Sequence, residues 1–191
     1  MLEILSKIVD KLSAYQLFNY FFPGIIFNFC LEQIVSYRIA PNDILYRVFV
    51  YYLTGMIMSR LGSTIIEPLY KKIGIVIYAE YKKYLDASVN DSKLDILVLE
   101  NNTYRTLIAT FVSLFILFLI DQIEWFHGKY QHPIAILIYL LMLIFLFSSS
   151  FKKQTSFIRK KVHRNLNLKD EEESIKLKDK QKHIKIWSQI F

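Results

Sequence analysis

Two long uncharged runs in the second half of the chain decide what kind of protein it can form. Residues 106–120 (TLIATFVSLFILFLI) and 133–147 (PIAILIYLLMLIFLF) contain no charged side chain, and a short polar segment separates them. Each run extends through aromatic or small polar residues to the roughly 20 residues that cross the hydrocarbon core of a bilayer. A soluble chain of 191 residues has no need of two such segments in succession. The pattern therefore predicts a helical membrane protein.

The first half of the chain adds two further candidate spans. We expect an all-α integral membrane bundle with spans at residues 15–35, 44–66, 104–126 and 133–151, a cytosolic loop at 67–103 and a basic tail at 152–191. Arg47 and Arg60 flank the apolar centre of segment 44–66, so two spans with two re-entrant or interfacial helices is the alternative. Polar residues in the first two segments favour packing inside the bundle, whereas the third and fourth segments are expected to face lipid. The single cysteine, Cys30, excludes an intramolecular disulfide.

The positive charges predict the orientation of these spans. Of the 24 lysines and arginines, only Arg38, Arg47 and Lys129 fall on one side of the predicted membrane. The positive-inside rule therefore places both termini and the middle loop in the cytoplasm. The expected location is the cytoplasmic (inner) membrane, with membrane lipids as direct partners.

Helical periodicity continues outside the spans. Residues 5–12 have apolar side chains at helical spacing and predict a short interfacial helix. Residues 71–85 interleave lysines with aromatic side chains and are expected to lie on the membrane surface. Residues 91–104 predict a helix that runs unbroken into the third span, and the fourth span is expected to continue to Arg164.

A cluster of polar residues is predicted at the cytoplasmic ends of the second and third spans. Its members are Arg60, Glu67, Glu100, Asn101 and Arg105. Because a charge near lipid is costly unless it is paired, either Arg60 with Glu100 or Glu67 with Arg105 is the expected cross-helix pair. Such a cluster fixes helix packing, binds a small anion or acts as the latch of a gate. Asn19 and Asn28 are the candidate residues that would line a path.

A basic patch follows the fourth span directly. It comprises Lys152, Lys153, Arg159, Lys160, Lys161 and Arg164. Clustered cations at this position attract anionic lipid headgroups. Nucleic acid is the alternative, because phosphate contacts need only cations and the interleaved aromatic side chains could stack on bases.

Enzyme chemistry has little support in the sequence. There is no glycine-rich phosphate loop, no nucleophile elbow, and no HExxH or CxxC motif, so we expect no enzyme and no cofactor. His127 and His132 with Asp121 and Glu124 would permit a metal site, although such a set arises easily by chance. Arg159 and His163 approach the R-x4–6-H pattern of HEPN ribonucleases, but only three residues separate them.

Four segments together resemble one group of proteins. They are YQLFNYFFPGIIF (15–27), GMIMSRLGSTIIEPLYKK (55–72), ENNTYRTLI (100–108) and SFKKQTSFIRKK (150–161). In this order they resemble small four-helix bacterial membrane proteins of antiviral defence loci. The resemblance implies an accessory or effector membrane protein of a CRISPR or nucleotide-signalling defence system.

These observations lead to three functional hypotheses. In the first, a homo-oligomeric effector opens a gated ion-leak path. In the second, a non-conducting anchor recruits or modulates a cytosolic nuclease, sensor or nucleic acid through the basic tail. In the third, Glu67, Arg105 and the histidines form a membrane-associated enzyme site.

Overall fold

The described part of the chain is entirely helical, which confirms the predicted all-α class. A computed structural model describes residues 13–34, 43–89, 91–124 and 133–190, and these ranges contain no strand. Helix α1 consists of Ala14–Gln16, Leu17–Phe21 and Phe22–Ile34; α2 consists of Ile44–Leu61, Gly62–Ile66 and Glu67–Lys72; α3 is Tyr81–Ser88, α4 is Lys93–Glu124 and α5 is Pro133–Ile190. The interfacial helix predicted for residues 5–12 lies outside the described residues.

Two of the described helices are long and apolar enough to cross a membrane. They are Lys93–Gln122 within α4 and Pro133–Asn167 within α5. These are the third and fourth predicted spans, and both continue as predicted: α4 begins before its apolar run, and α5 passes Arg164 without a break. Helices α1 and α2 carry more polar residues, so a four-span bundle remains a prediction. The predicted loop 67–103 is itself mostly helical, since α2 ends at Lys72 and α3 and the start of α4 follow.

Helices α1 and α2 each contain one π-helical turn just before a proline. The Phe22 N–H donates to the Leu17 carbonyl ahead of Pro23, and the Glu67 N–H donates to the Gly62 carbonyl ahead of Pro68. A proline ring inside a helix collides with the carbonyl four residues earlier, and a wider turn relieves that collision. Both helices therefore continue through their prolines.

Close backbone contact joins α1 to α2. A Cβ atom added to Gly24 would lie 1.8 Å from the Tyr51 carbonyl oxygen, and one added to Gly55 would lie 1.5 Å from the Tyr20 carbonyl oxygen. Only glycine permits this approach, which is typical of helix pairs in membranes. The rings of Tyr20 and Tyr52 pack edge to face beside it, with centroids 5.8 Å apart.

Helix α4 forms the centre of the bundle. Its most apolar stretch is 44% buried, whereas that of α5 is 11% buried. The expectation that both late spans face lipid is therefore wrong for α4 and agrees with the exposure of α5. The hydropathy of the sequence could not distinguish a span buried in the bundle from a span that faces lipid, because the two environments are equally apolar.

The charged end of the bundle is a second packed region, which we call the polar lobe and define as residues 73–105 and 152–167. Here α3 packs on the continuation of α5. The buried side chains that hold this region together are Ala87, Leu94, Ile158 and Val162. Helices α4 and α5 thus extend beyond their apolar runs into the polar lobe.

Candidate functional site

An ion pair between α2 and α4 lies where the bundle meets the polar lobe. The Arg105 guanidinium donates from Nη1 to Oε2 of Glu67, and the two side chains are only 12% and 17% exposed. Helix α4 approaches α2 closely here: a Cβ atom added to Gly62 would lie 3.2 Å from the Arg105 carbonyl oxygen. Of the two cross-helix pairs predicted from the sequence, the structure contains Glu67 with Arg105.

Glu67 also connects the ion pair to the polar lobe. Its Oε1 accepts a hydrogen bond of 2.7 Å from Lys71 Nζ, one helical turn further along α2. The same ammonium lies 4.5 Å from the centre of the Tyr78 ring, a favourable cation–π distance. Burial raises the pKa of the Tyr78 phenol, and the nearby Glu67 carboxylate raises it further. We call Glu67, Arg105, Lys71 and Tyr78 the Glu67 cluster.

The other predicted members of the polar cluster lie elsewhere. Arg60 is exposed, and within the described residues it forms no ion pair; it lines a small surface cleft with Tyr20. Glu100 accepts a hydrogen bond of 2.8 Å from Gln154 Nε2 on α5. Asn101 is buried and accepts a 3.0 Å hydrogen bond from the Thr155 hydroxyl. The α4 residues therefore divide between the partners α2 and α5.

A cavity of about 330 Å³ opens next to the Glu67 cluster within the polar lobe. Its walls come from α2, from the extended segment before α3, and from α3, α4 and α5. They include Lys71, Tyr78, Tyr84, Asn101, Asn102 and Thr155. Burial, and then the hydrogen bond that Tyr84 donates to Asp95, raise the pKa of Tyr84 to about 12. The cavity has an aromatic wall, amide groups and one lysine, which suits a small molecule with an apolar body.

Both asparagines proposed to line a path are buried inside the subunit. Asn19 is 0% exposed and Asn28 is 1% exposed. Asn28 donates a 2.9 Å hydrogen bond from Nδ2 to the Gly24 carbonyl, whereas neither amide atom of Asn19 has a partner among the described residues. A path lined by these residues would run through one subunit and not between subunits. Ser59, Thr106 and Thr110 are further polar side chains in the same interior.

The basic patch does not form a single cationic face. Lys161 Nζ lies 2.8 Å from Asp91 Oδ2, so its charge is compensated within the polar lobe. The hydrogen bonds from Lys161 and from Asn165 lower the pKa of Asp91. In contrast, Lys152, Lys153 and Lys160 line a groove of about 870 Å³ on another face of α5. Of the six predicted residues, Lys161 and the three groove lysines thus lie on different faces of α5.

The structure adds nothing in favour of the metal and ribonuclease sites that the sequence analysis considered and did not adopt. His127 and His132 lie outside the described residues, and the residues that are described contain no group of three or more histidine, cysteine, aspartate or glutamate side chains placed to hold a metal. His163 is exposed on α5, one helical turn after Arg159.

Several residues of the site were not predicted from the sequence. Lys71 and Tyr78 were assigned to a membrane-surface segment, and Gln154 and Thr155 were not singled out. The i, i+4 spacing of Glu67 and Lys71 is a local signal that could have identified their pair. The contacts of Gln154 and Thr155 with α4 have no such signal, since they depend on how α4 and α5 pack.

No protein family, curated protein or solved structure matches the chain.

Proposed function

We propose that this chain is a four-span protein of the bacterial inner membrane, with both termini in the cytoplasm, that acts as an effector in antiviral defence by opening an ion leak. The two apolar helices and the cation-rich polar lobe support this orientation. The polar lobe would then be the cytosolic part. A trigger that acts on it would change the membrane helices through the contacts described above.

The Glu67–Arg105 ion pair is the observation that carries the proposal. It joins α2 to α4 at the base of the polar lobe, and Lys71 links the same carboxylate to the cavity wall. The π-helical turn at Gly62–Ile66 lies directly before Glu67. Wide turns of this kind are frequent at functional sites. In the proposal, the ion pair holds α2 in the closed arrangement, and its loss allows α2 to shift.

In this proposal, the interior of the bundle is the closed form of the path. Buried polar side chains occur in α1, α2 and α4, and the same interior contains the apolar core side chains Phe27, Phe111, Leu114 and Phe118. Apolar constrictions of this kind block ions by excluding water. Opening would require α4 to move relative to α1 and α2. The exposed apolar side of α5 is available to lipid or, in the proposed homo-oligomer, to a second copy.

Membrane potential provides the test. The wild-type chain is expressed in a bacterial host and followed with a voltage-sensitive dye, with and without phage challenge. We expect depolarisation of the wild type only after challenge, whereas Glu67→Gln should depolarise unchallenged cells because the ion pair no longer holds α2. Glu80→Gln is the matched control, since Glu80 makes only an exposed ion pair with Lys83. A steady potential in all strains would refute the leak.

Recruitment of a cytosolic partner is the alternative that one observation favours. Helix α5 is 58 residues long, and it continues to Ile190 as one helix. The part beyond Phe151 would reach roughly 55–60 Å from the membrane at 1.5 Å per residue. A chain that ends after Asn167 keeps the buried residues of the polar lobe. If this shortened chain inserts normally but loses protection against phage while the wild type leaves the potential unchanged, anchoring of a nuclease, sensor or nucleic acid is supported.

A further inference from the structure

A groove on α5 begins where the apolar run of this helix ends. It has a volume of about 870 Å³ and lies between Tyr104 of α4 and one face of α5. The α5 residues that line it are Ser149, Ser150, Lys152, Lys153, Gln154, Ser156, Phe157 and Lys160. The groove therefore combines cations and hydroxyl groups within three turns of one helix.

The three lysines of the groove, Lys152, Lys153 and Lys160, have no ion-pair partner in the part of the chain that the structure describes. Gln154, which also lines the groove, donates a 2.8 Å hydrogen bond to the carboxylate of Glu100. Lys161, which follows Lys160 directly, differs because Asp91 compensates its charge. Within the described residues, the groove therefore carries three lysines that form no ion pair.

The position of the groove along α5 selects the ligand. Lys152 and Lys153 are the first charged residues after the predicted span 133–151, which places them at headgroup depth on the polar-lobe side of that span. Side chains of an α-helix tilt toward its N-terminus, and the N-terminus of α5 lies on the far side of the apolar run. The lysine side chains therefore tilt back toward the membrane surface. Tyr104, which precedes the apolar run of α4, lies at the same headgroup depth as these lysines.

We propose that this groove binds the phosphate of an anionic phospholipid in the cytoplasmic leaflet. Lys152 and Lys153 contact the phosphate, Ser149 and Ser156 are hydroxyl donors beside it, and Lys160 adds a weaker attraction from deeper in the cytosol. The Ser150 hydroxyl already donates to the Leu146 carbonyl, so it is not counted as a donor. This inference depends on membrane insertion and is independent of ion conduction.

Nucleic acid would use the same residues differently. A phosphate chain that follows α5 into the cytosol would contact Lys160 and Arg164 at least as strongly as Lys152 and Lys153. Sequence-tolerant binding of single strands also uses rows of aromatic side chains, and the groove contains only Tyr104 and Phe157. The two ligands therefore predict different rankings of the lysines.

Lipid enrichment around the purified protein tests the proposal. The full-length chain is placed in nanodiscs of phosphatidylcholine with a minor fraction of phosphatidylglycerol, and the lipids that remain bound are identified by native mass spectrometry. We expect phosphatidylglycerol to be enriched, and Lys152→Gln with Lys153→Gln to reduce the enrichment about fivefold for each charge removed. Lys160→Gln should have a smaller effect. Lys82→Gln with Lys93→Gln is the matched control, because it removes two exposed lysines outside the groove.

Three results would overturn the proposal. The first is equal retention of both lipids by the wild type. The second is release of phosphatidylglycerol from the wild type by inorganic phosphate, at a concentration whose ionic strength alone does not release this lipid from the control variant. That result would indicate a site for soluble phosphate. The third is binding of a single-stranded RNA oligonucleotide that depends equally on all three lysines without any lipid preference. Circular dichroism of each variant establishes that the helices are retained.

Discussion

Gly24 of α1 and Gly55 of α2 lie against each other where the two helices cross, and each also faces a carbonyl group of the opposite helix. A Cβ on Gly24 would be 2.9 Å from the Gly55 backbone nitrogen as well as 1.8 Å from the Tyr51 carbonyl oxygen. Both glycines are thus at positions that admit no side chain. Close backbone contact of this kind is a main source of attraction between helices in lipid, where apolar burial alone contributes little.

Alanine at either glycine should destabilise the bundle. Alanine favours a helix over glycine by about 1 kcal/mol, but the added methyl group would force the helices apart, and overpacking of this kind costs roughly 1–3 kcal/mol or more. We expect Gly24→Ala and Gly55→Ala to lower the thermal midpoint in detergent. Gly62→Ala is the graded control, because its nearest neighbour would be 3.2 Å away. A rise in the midpoint for all three variants would contradict the crossing.

Removal of Glu67 should cost more stability than removal of Arg105. In Arg105→Gln, Glu67 keeps its hydrogen bond with Lys71. In Glu67→Gln, two cations lose their shared carboxylate, and the Arg105 guanidinium remains largely buried. Breaking a buried pair costs on the order of 3 kcal/mol, reduced here because both groups retain some exposure.

A double-mutant cycle measures this coupling. The chain with both Glu67→Gln and Arg105→Gln should recover part of the loss seen with Glu67→Gln alone. The free energy of unfolding of each variant is measured in detergent as the fraction of denaturant is raised. Glu80→Gln serves as the control for loss of an exposed ion pair. Equal and additive effects of the two substitutions would show that the pair does not act as a unit.

Acid should release the turn before α4 from α5. The hydrogen bond from Lys161, and then that from Asn165, hold the Asp91 pKa below its ordinary value of 3.8. A carboxylate with a lowered folded-state pKa stabilises the fold above its unfolded pKa and loses this contribution as the pH falls through the lower, folded value. The difference in thermal midpoint between wild type and Asp91→Asn should be constant from about pH 7 to about pH 5. It should then shrink as the pH falls below the unfolded-state pKa and disappear below the lower, folded-state pKa. A difference that persists in acid would exclude this pair as its cause.

The long-range helix pattern could be predicted from the sequence because it depends on local composition. The uninterrupted course of α4 and α5 follows from apolar runs that continue into amphipathic segments without proline or glycine. The π-helical turns were not predicted, although Pro23 and Pro68 are visible in the sequence. A proline inside a helix can end it, bend it or widen the preceding turn, and the choice depends on the neighbouring helices.

The pairing within the candidate site required the tertiary structure. The sequence allowed Arg60 with Glu100 or Glu67 with Arg105, and only the longitudinal register of α2 against α4 distinguishes them. Gly62 sets that register by its approach to the Arg105 carbonyl, a contact between residues far apart in the chain. The division of the basic patch has a similar origin, because it depends on Asp91 reaching Lys161 across the polar lobe.

Asn19 offers a test that separates a structural from a conducting role of the polar interior. Its side chain is fully buried, and both amide atoms are without a partner in the described part of the chain. An unsatisfied buried amide costs roughly 1–3 kcal/mol, so Asn19→Leu should raise the thermal midpoint while removing a group that could hydrate an open path. We therefore expect a more stable protein that no longer depolarises challenged cells. Thr110→Val is the matched control for a residue whose hydroxyl already donates to the Thr106 carbonyl; it should change stability little and reduce the leak less. If Asn19→Leu is more stable and the leak is unchanged, ions do not pass this residue, and the cost of burying it must be explained by another contact in the open arrangement.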